Sequence, residues 1–380
     1  MNNSVNAPIY LDYNATTPVD PQVADAIEPY LRQHFGNPSS NHIYGRNAHQ
    51  AVERARQQVA NLISARADEI IFTGCATEAN NLAIRGAARA LGDKGRHLIT
   101  SAVEHPAVEQ PFRRLAEDGW EVSVIPVDKY GQVNPTQLAD AVRDDTVLVS
   151  IMHANNEVGS IQPVAEIAAI TRPLGILLHT DAAQSAGKIP VSVDDLGADL
   201  LTLAGHKFYA TKGVGALYLR RGTAMQPVLV GASHEAGLRP GTENVPAIVG
   251  MGEAARLAFE RDPGHMQQLR LLRDQLHARL GEAIPGIVLN GHPEQRLPNT
   301  LNLSFPGRDG RDLLAHAAAE VAASVGSACH EDGATVSGVL GAMGIETERA
   351  LGAVRLSLGL PTTAAEVERA ARALIAAWQA

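Results

Sequence analysis

Up to Leu219, short apolar runs alternate with Ala-rich stretches whose apolar positions recur every three or four residues. The runs Glu69–Phe72, His97–Thr100, Glu121–Pro126, Val147–Ile151, Ile176–His179, Leu200–Leu203 and Gly215–Leu219 predict strands. Ala48–Leu62, Ala79–Ala90, Ala107–Asp118, Pro135–Val142 and Pro163–Thr171 predict helices. Strands that alternate with helices of this length form βαβ units and a mostly parallel sheet. Ile176–Leu178 is apolar without alternation, as a strand covered on both faces requires. Gly215–Leu219 follows its predecessor too closely for a helical crossover, so it should run antiparallel.

From about Met251 the texture changes. Gly252–Leu280 reads as one or two helices, broken at Pro263–Gly264. Thr300–Phe305 and Val354–Leu358 predict strands, and Leu313–Ala319 and Ala364–Trp378 predict helices. This part is a smaller α+β unit, and no internal repeat or low-complexity tract runs through the chain.

Composition narrows the function classes. The chain has 380 residues, 45% of them hydrophobic and 19% charged, which fits a globular protein of about two domains. A net charge of −9 argues against nucleic acid or an anionic membrane as the direct partner. Two cysteines, Cys75 and Cys329, are too few for a disulfide framework or a four-cysteine zinc site. No apolar run is long enough to span a membrane, and MNNSVNAPIY lacks the blocks of a signal peptide. A cytoplasmic location is the expectation.

Ligands of open α/β sheets collect at the C-terminal ends of the strands. After Ile70–Phe72 comes Thr73-Gly74-Cys75-Ala76-Thr77-Glu78, at the start of a helix. Small residues and a hydroxyl there suit an anion, although Thr73 or Thr77 could serve simply as a cap. The later strand ends deliver Glu104-His105, His153-Ala154-Asn155-Asn156, Asp181-Ala182-Ala183-Gln184 and Gly205-His206-Lys207. A lone His at a strand end is usually structural. The set together points to one large, polar cofactor without a metal. Pyridoxal phosphate (PLP) needs such a set: a Lys amine for its aldehyde, an Asp for its pyridine nitrogen, an anion site for its phosphate and a ring to stack on it. Asp181 and Lys207 lie 26 residues apart, about one β–loop–β excursion, which places them on neighbouring strands.

At these residues the chain resembles the cysteine desulfurases of the NifS/IscS type, within the class V aminotransferase family of fold-type I PLP enzymes. The matching segments run in order over nearly the whole chain. They are Tyr10-Leu-Asp-Tyr-Asn-Ala-Thr-Thr-Pro, Phe35-Gly-Asn-Pro-Ser-Ser, Ala76-Thr-Glu-Ala-Asn-Asn, Asn155-Asn-Glu-Val-Gly, His179-Thr-Asp-Ala-Ala-Gln, Gly205-His-Lys, Arg239-Pro-Gly-Thr-Glu-Asn, Gly326-Ser-Ala-Cys and Arg355-Leu-Ser-Leu-Gly. The resemblance implies an α/β fold. A large PLP-binding domain (15–255) holds a mostly parallel seven-stranded sheet between helices. A smaller α+β domain (1–14 and 256–380) carries the cysteine loop.

The resemblance also assigns roles. Lys207 is the Schiff-base lysine, Asp181 faces the pyridine nitrogen, and His105 stacks on the ring and shuttles protons. Gln184 meets the phenolic oxygen, and Asn156 touches cofactor and substrate. Ala76, Thr77 and His206 line the phosphate, Gly205 is a further cofactor-binding residue, and Thr242 is supplied by the other subunit of a homodimer. Arg355 clamps the substrate carboxylate as a bidentate pair. Cys329 takes sulfur from L-cysteine as a persulfide, leaves L-alanine, and passes the sulfur to an acceptor or iron–sulfur scaffold protein. No resident metal is implied, only a transient contact of Cys329 with a cluster. Its surroundings, Val325-Gly326-Ser327-Ala328-Cys329-His330-Glu331-Asp332-Gly333, are small, polar and Gly-bracketed, as suits a flexible loop. That loop is similar to the longer loop of the NifS/IscS branch.

Three positions depart from the family pattern. Gly74-Cys75-Ala76-Thr77 stands for the usual Ser-Gly-Ala-Thr, Ala204 removes a phosphate-binding hydroxyl, and Val325 replaces a serine. Cys75 is either a tolerated small residue or a redox-sensitive thiol beside the cofactor. Selenocysteine lyase and class V aminotransferase activities remain the alternative readings of the same pocket.

Overall fold

The first strand, β1 (Ile9–Tyr10), precedes the seven that answer the apolar runs: β2 (Ile70–Thr73), β3 (His97–Ser101), β4 (Glu121–Ile125), β5 (Thr146–Ser150), β6 (Leu177–Asp181), β7 (Leu200–Ala204) and β8 (Gly215–Leu219). In this computed structural model, which describes residues 7–325 and 336–380, strands β2 to β8 form one sheet in the order β2-β8-β7-β6-β5-β3-β4. Strand β8 pairs antiparallel with both β7 and β2, as its short connection requires. The pairs β3–β4, β3–β5, β5–β6 and β6–β7 are parallel. Only β8 therefore runs against the rest.

Helices α1 (Pro21–Arg32), α2 (Ile43–Leu62), α3 (Ala76–Leu91) and α4 (Pro106–Glu117) come from the first part of the chain. On one face of the sheet, Val52 and Val59 of α2 and Ile248 and Met251 of helix Val245–Phe259 pack on Phe72, Leu201 and Leu203. On the other, Leu82 of α3 and Phe112 and Leu115 of α4 pack on Ile71, Leu98, Leu148 and Leu200. Strand residues thus alternate between two apolar layers, and each such side chain contributes about 1.5–3 kcal/mol on burial.

A second core lies in the C-terminal part. Strands β9 (Val288–Asn290), β10 (Thr300–Ser304) and β12 (Ala353–Ser357) form an antiparallel sheet in the order β12-β10-β9. Strand β11 (Val321–Ala322) pairs in parallel with β1. Helices Gly264–Ala283 and Ala364–Gln379 supply Leu272, Leu276, Val367 and Leu374 to this core, and the N-terminal segment adds Ile9 and Leu11. The break at Pro263 is where helix Val245–Phe259 ends and Gly264–Ala283 begins.

The chain runs outward from β3 to β4, then returns to β5 and proceeds through β6 and β7 in the opposite direction. The order reverses between β3 and β5. A crevice opens at the strand C-termini of such a switch point.

Candidate active site

Strand β6 ends on Asp181, and β7 ends on Ala204, just before Lys207. The two strands are neighbours, with Asp181 opposite Thr202. Both side chains line a cavity of about 1080 Å³ over the strand ends, joined there by Ala76, Thr77, His105, Asn156, Gln184, His206 and Arg355.

Asp181 is buried, and its two oxygens are held separately. Oδ2 accepts from Asn80 Nδ2 at 2.8 Å, and Oδ1 accepts from the Ala183 N–H at 2.9 Å. One alternation earlier on β6, His179 is fully buried between Ser150 and Thr202, and burial pushes its pKa down to about 4. A neutral imidazole therefore lies under the carboxylate.

Lys207 Nζ donates to the carbonyls of Asn14 (2.6 Å) and Ala15 (2.8 Å). Burial first, and then the Arg355 charge, push its pKa down to about 8, against opposing pulls from Asp181 and Asp12. The neutral, nucleophilic amine is thereby accessible near physiological pH.

His105 caps α4, its Nδ1 accepting from the Ala107 N–H at 3.1 Å. The neutral ring must then carry its proton on Nε2. Burial and Lys207 hold its pKa down while Asp181 opposes them. The preceding residue, Glu104, has one oxygen saturated: Oε1 accepts from Ser101 Oγ at 2.7 Å and from the Met152 N–H at 2.8 Å. Its Oε2 is buried with no partner among the described residues, and burial raises the pKa to about 8.

Arg355 projects from β12 into the same cavity. Nη2 donates to Asp12 Oδ1 at 2.7 Å and Nη1 donates to the Asn156 carbonyl at 3.1 Å. Its Nε is buried and unpartnered among the described residues. Asn14 ties the site together. Its side chain donates to Thr300 Oγ1 and the Asn156 carbonyl, and its own carbonyl accepts from Lys207 and Gln184.

Helix α3 begins at Cys75 with no side-chain cap. Thr73 Oγ1 donates to the Cys75 carbonyl instead, so neither threonine serves as the simple cap. Gly215 backs this turn, and a Cβ there would come within 2.6 Å of the Cys75 carbonyl carbon. The open helix start, with Ala76 and Thr77 facing the cavity, is a site for an anion. An anion site, a lysine amine near its titration point and a doubly bonded aspartate around one cavity match the phosphate, aldehyde and pyridine nitrogen of PLP. The residues fit that cofactor.

Two expected residues are not brought to this cavity. Gly205 is buried behind it, where a Cβ would meet Val214 Cγ1 at 2.9 Å. Thr242 is exposed and apart from it in the single chain. Cys329 lies outside the described residues, but Ser324 and Val336, on either side of that segment, line the cavity. Sequence reasoning assigned no role to Asp12, Asn14, Asn80, Glu104 or Lys188. All but Lys188 stand in quoted motifs or beside His105, and that adjacency was the available signal.

The aminotransferase class-V family model matches residues 9–370. The chain is 48% identical over 356 residues to the cysteine desulfurase IscS of Dictyoglomus turgidum, covering 93% of this chain and 90% of that one. A solved NifS-like protein superposes with a TM-score of 0.91 at 37% identity, over 97% of this chain and 98% of the other. The structure of SspA in complex with cysteine superposes with a TM-score of 0.83 at 35% identity, over 92% and 98%.

Proposed function

The chain belongs to the class-V aminotransferase family, and from that membership we propose that it is a PLP-dependent cysteine desulfurase, which converts L-cysteine to L-alanine and transfers the sulfur. The observation that carries this reading is the meeting of Asp181 and Lys207, from neighbouring strands, in one cavity with the uncapped start of α3. When bound, PLP supplies an aldehyde for an amine and a ring that draws electrons away from the attached carbon.

The chain's own residues do the rest. The α3 N-terminus with Ala76 and Thr77 would hold the phosphate, and Asp181, fixed by Asn80, would favour a proton on the pyridine nitrogen. Lys207 Nζ would hold the cofactor's aldehyde. Gln184 and Asn156 contact the cofactor, and His105 covers the ring and moves a proton at Nε2. Arg355 takes the substrate carboxylate, with Nε unpartnered among the described residues and Nη1 and Nη2 already oriented. We assign the sulfur-accepting thiol to Cys329. Its thiolate attacks the substrate sulfur and the carbon–sulfur bond breaks. The bonding pair passes into the carbon skeleton, and a proton delivered there completes alanine. That both flanks of its segment line the cavity supports the assignment.

The partner would be a sulfur-acceptor or iron–sulfur scaffold protein. The working unit would be a homodimer in which Thr242 of one copy completes the phosphate cup of the other, with Gly205 serving as its backing. The two apolar cores support a division into a domain of 15–255 and one of 1–14 with 256–380. Among the described residues no helix is long and apolar enough to cross a membrane, and we place the protein in the cytoplasm. The test is product analysis with L-cysteine: alanine and sulfane sulfur support the reading, and a keto acid in their place supports aminotransfer.

A further inference from the structure

Lys188 is buried four residues after Gln184, behind the cavity wall, and the chemistry above does not use it. Its Nζ donates to Gln184 Oε1 at 2.8 Å and to Asn14 Oδ1 at 3.3 Å. Both acceptors are amide oxygens rather than carboxylates. Burial, with Lys207 and Arg355 adding to it, pushes the amine well below its usual range, so the position is costly for an ordinary surface lysine.

The other end of the same carboxamide is also fixed. Gln184 Nε2 donates to the Asn14 carbonyl at 2.9 Å, the oxygen that also accepts from Lys207. A flipped amide would take the acceptor Oε1 away from Nζ and set oxygen against the Asn14 carbonyl oxygen. We propose that Lys188 is a positioning residue that locks the Gln184 carboxamide with Nε2 as its free end, so that Gln184 can only donate to the cofactor. A primary amide nitrogen has two hydrogens. The Asn14 carbonyl takes one, and the other is left for the cavity that Gln184 lines. This role rests on the functional reading above, in which Gln184 meets the ring hydroxyl of PLP.

The test compares PLP with the analogue that lacks the ring hydroxyl, titrated into the cofactor-free protein and followed by absorbance. Lys188→Met should bind PLP about tenfold more weakly, the loss of one charge-assisted hydrogen bond, and bind the analogue as the wild type does. Lys188→Gln keeps a donor and should keep the wild-type preference for the hydroxyl. This variant carries the test if the Met variant does not fold. Equal losses for both compounds, or a Gln variant indifferent to the hydroxyl, would overturn the role and leave the functional reading standing. A wild-type chain that takes up neither compound overturns that reading, and this role with it.

Discussion

Arg355 Nη2 donates to Asp12 Oδ1 at 2.7 Å, so the residue expected to grip a substrate carboxylate already holds one from its own chain. The Arg355 side chain is buried, and Asp12 is the more exposed partner. The pair keeps the guanidinium oriented while partly neutralising it. Asp12→Asn retains an oxygen for Nη2 and removes the charge. It should lower stability by about 1–2 kcal/mol and lower KM for L-cysteine several-fold. Thermal melts and steady-state kinetics check both signs, and a raised KM would show that Asp12 orients Arg355 more than it competes with the substrate.

Lys207 should set the pH dependence of cofactor capture. Only the neutral amine adds to an aldehyde, so covalent uptake of PLP by the cofactor-free protein should rise with pH and level off above about 8. The Arg355 charge helps hold that value down. Arg355→Met should therefore move the profile to higher pH, and Lys207→Ala should abolish covalent uptake. Borohydride trapping followed by peptide mass analysis reads all three.

Much of this site was readable in the sequence because its chemistry sits at strand ends that the apolar pattern defines. Spacing alone put Asp181 and Lys207 on adjacent strands; Asp181 ends β6 and Lys207 follows the end of the neighbouring β7, and β8 could be turned antiparallel from the length of its connection. The partners that tune those groups were not readable. Asn14 reaches Thr300 and Asn156 from the far end of the chain, contacts that no local pattern encodes. Strands β1, β9 and β11 have two or three residues, too few to display a period. Thr242 was placed by resemblance, and a single chain leaves it outside the cavity.

Glu104 should leave a pH signature on stability. Its folded pKa, about 8, stands above the value of about 4.3 for an unfolded chain. In the window between them the folded state binds the extra proton, so this group's contribution is full below the unfolded value and is lost as pH rises through the folded one. Glu104→Gln cannot ionise and keeps an Oε1 for Ser101 and Met152. Its stability relative to the wild type should climb between about pH 5 and pH 8, then level off. A difference independent of pH would show that Glu104 is ionised in the folded protein.

Asn80→Ala removes the donor to Asp181 Oδ2 and leaves a buried carboxylate oxygen unpaired. PLP affinity should fall about tenfold, and the cofactor-free protein should also lose about 1–3 kcal/mol, because Asn80 is fully buried and its bond is the partner of a buried carboxylate oxygen. An equal loss of stability with cofactor affinity unchanged would assign Asn80 to packing.

The central claim is sulfur transfer through Cys329 beside an intact PLP site. The most direct measurement is intact-peptide mass spectrometry of the PLP-loaded protein after brief exposure to L-cysteine, with alanine counted in the same sample. One added sulfur atom on the Cys329 peptide, matched by one alanine and absent from Cys329→Ala, is the predicted result. The exposed Cys75 at the start of α3 serves as the internal control. Added sulfur on Cys75 with Cys329 unmodified, or alanine released at the wild-type rate by Cys329→Ala, would contradict the account.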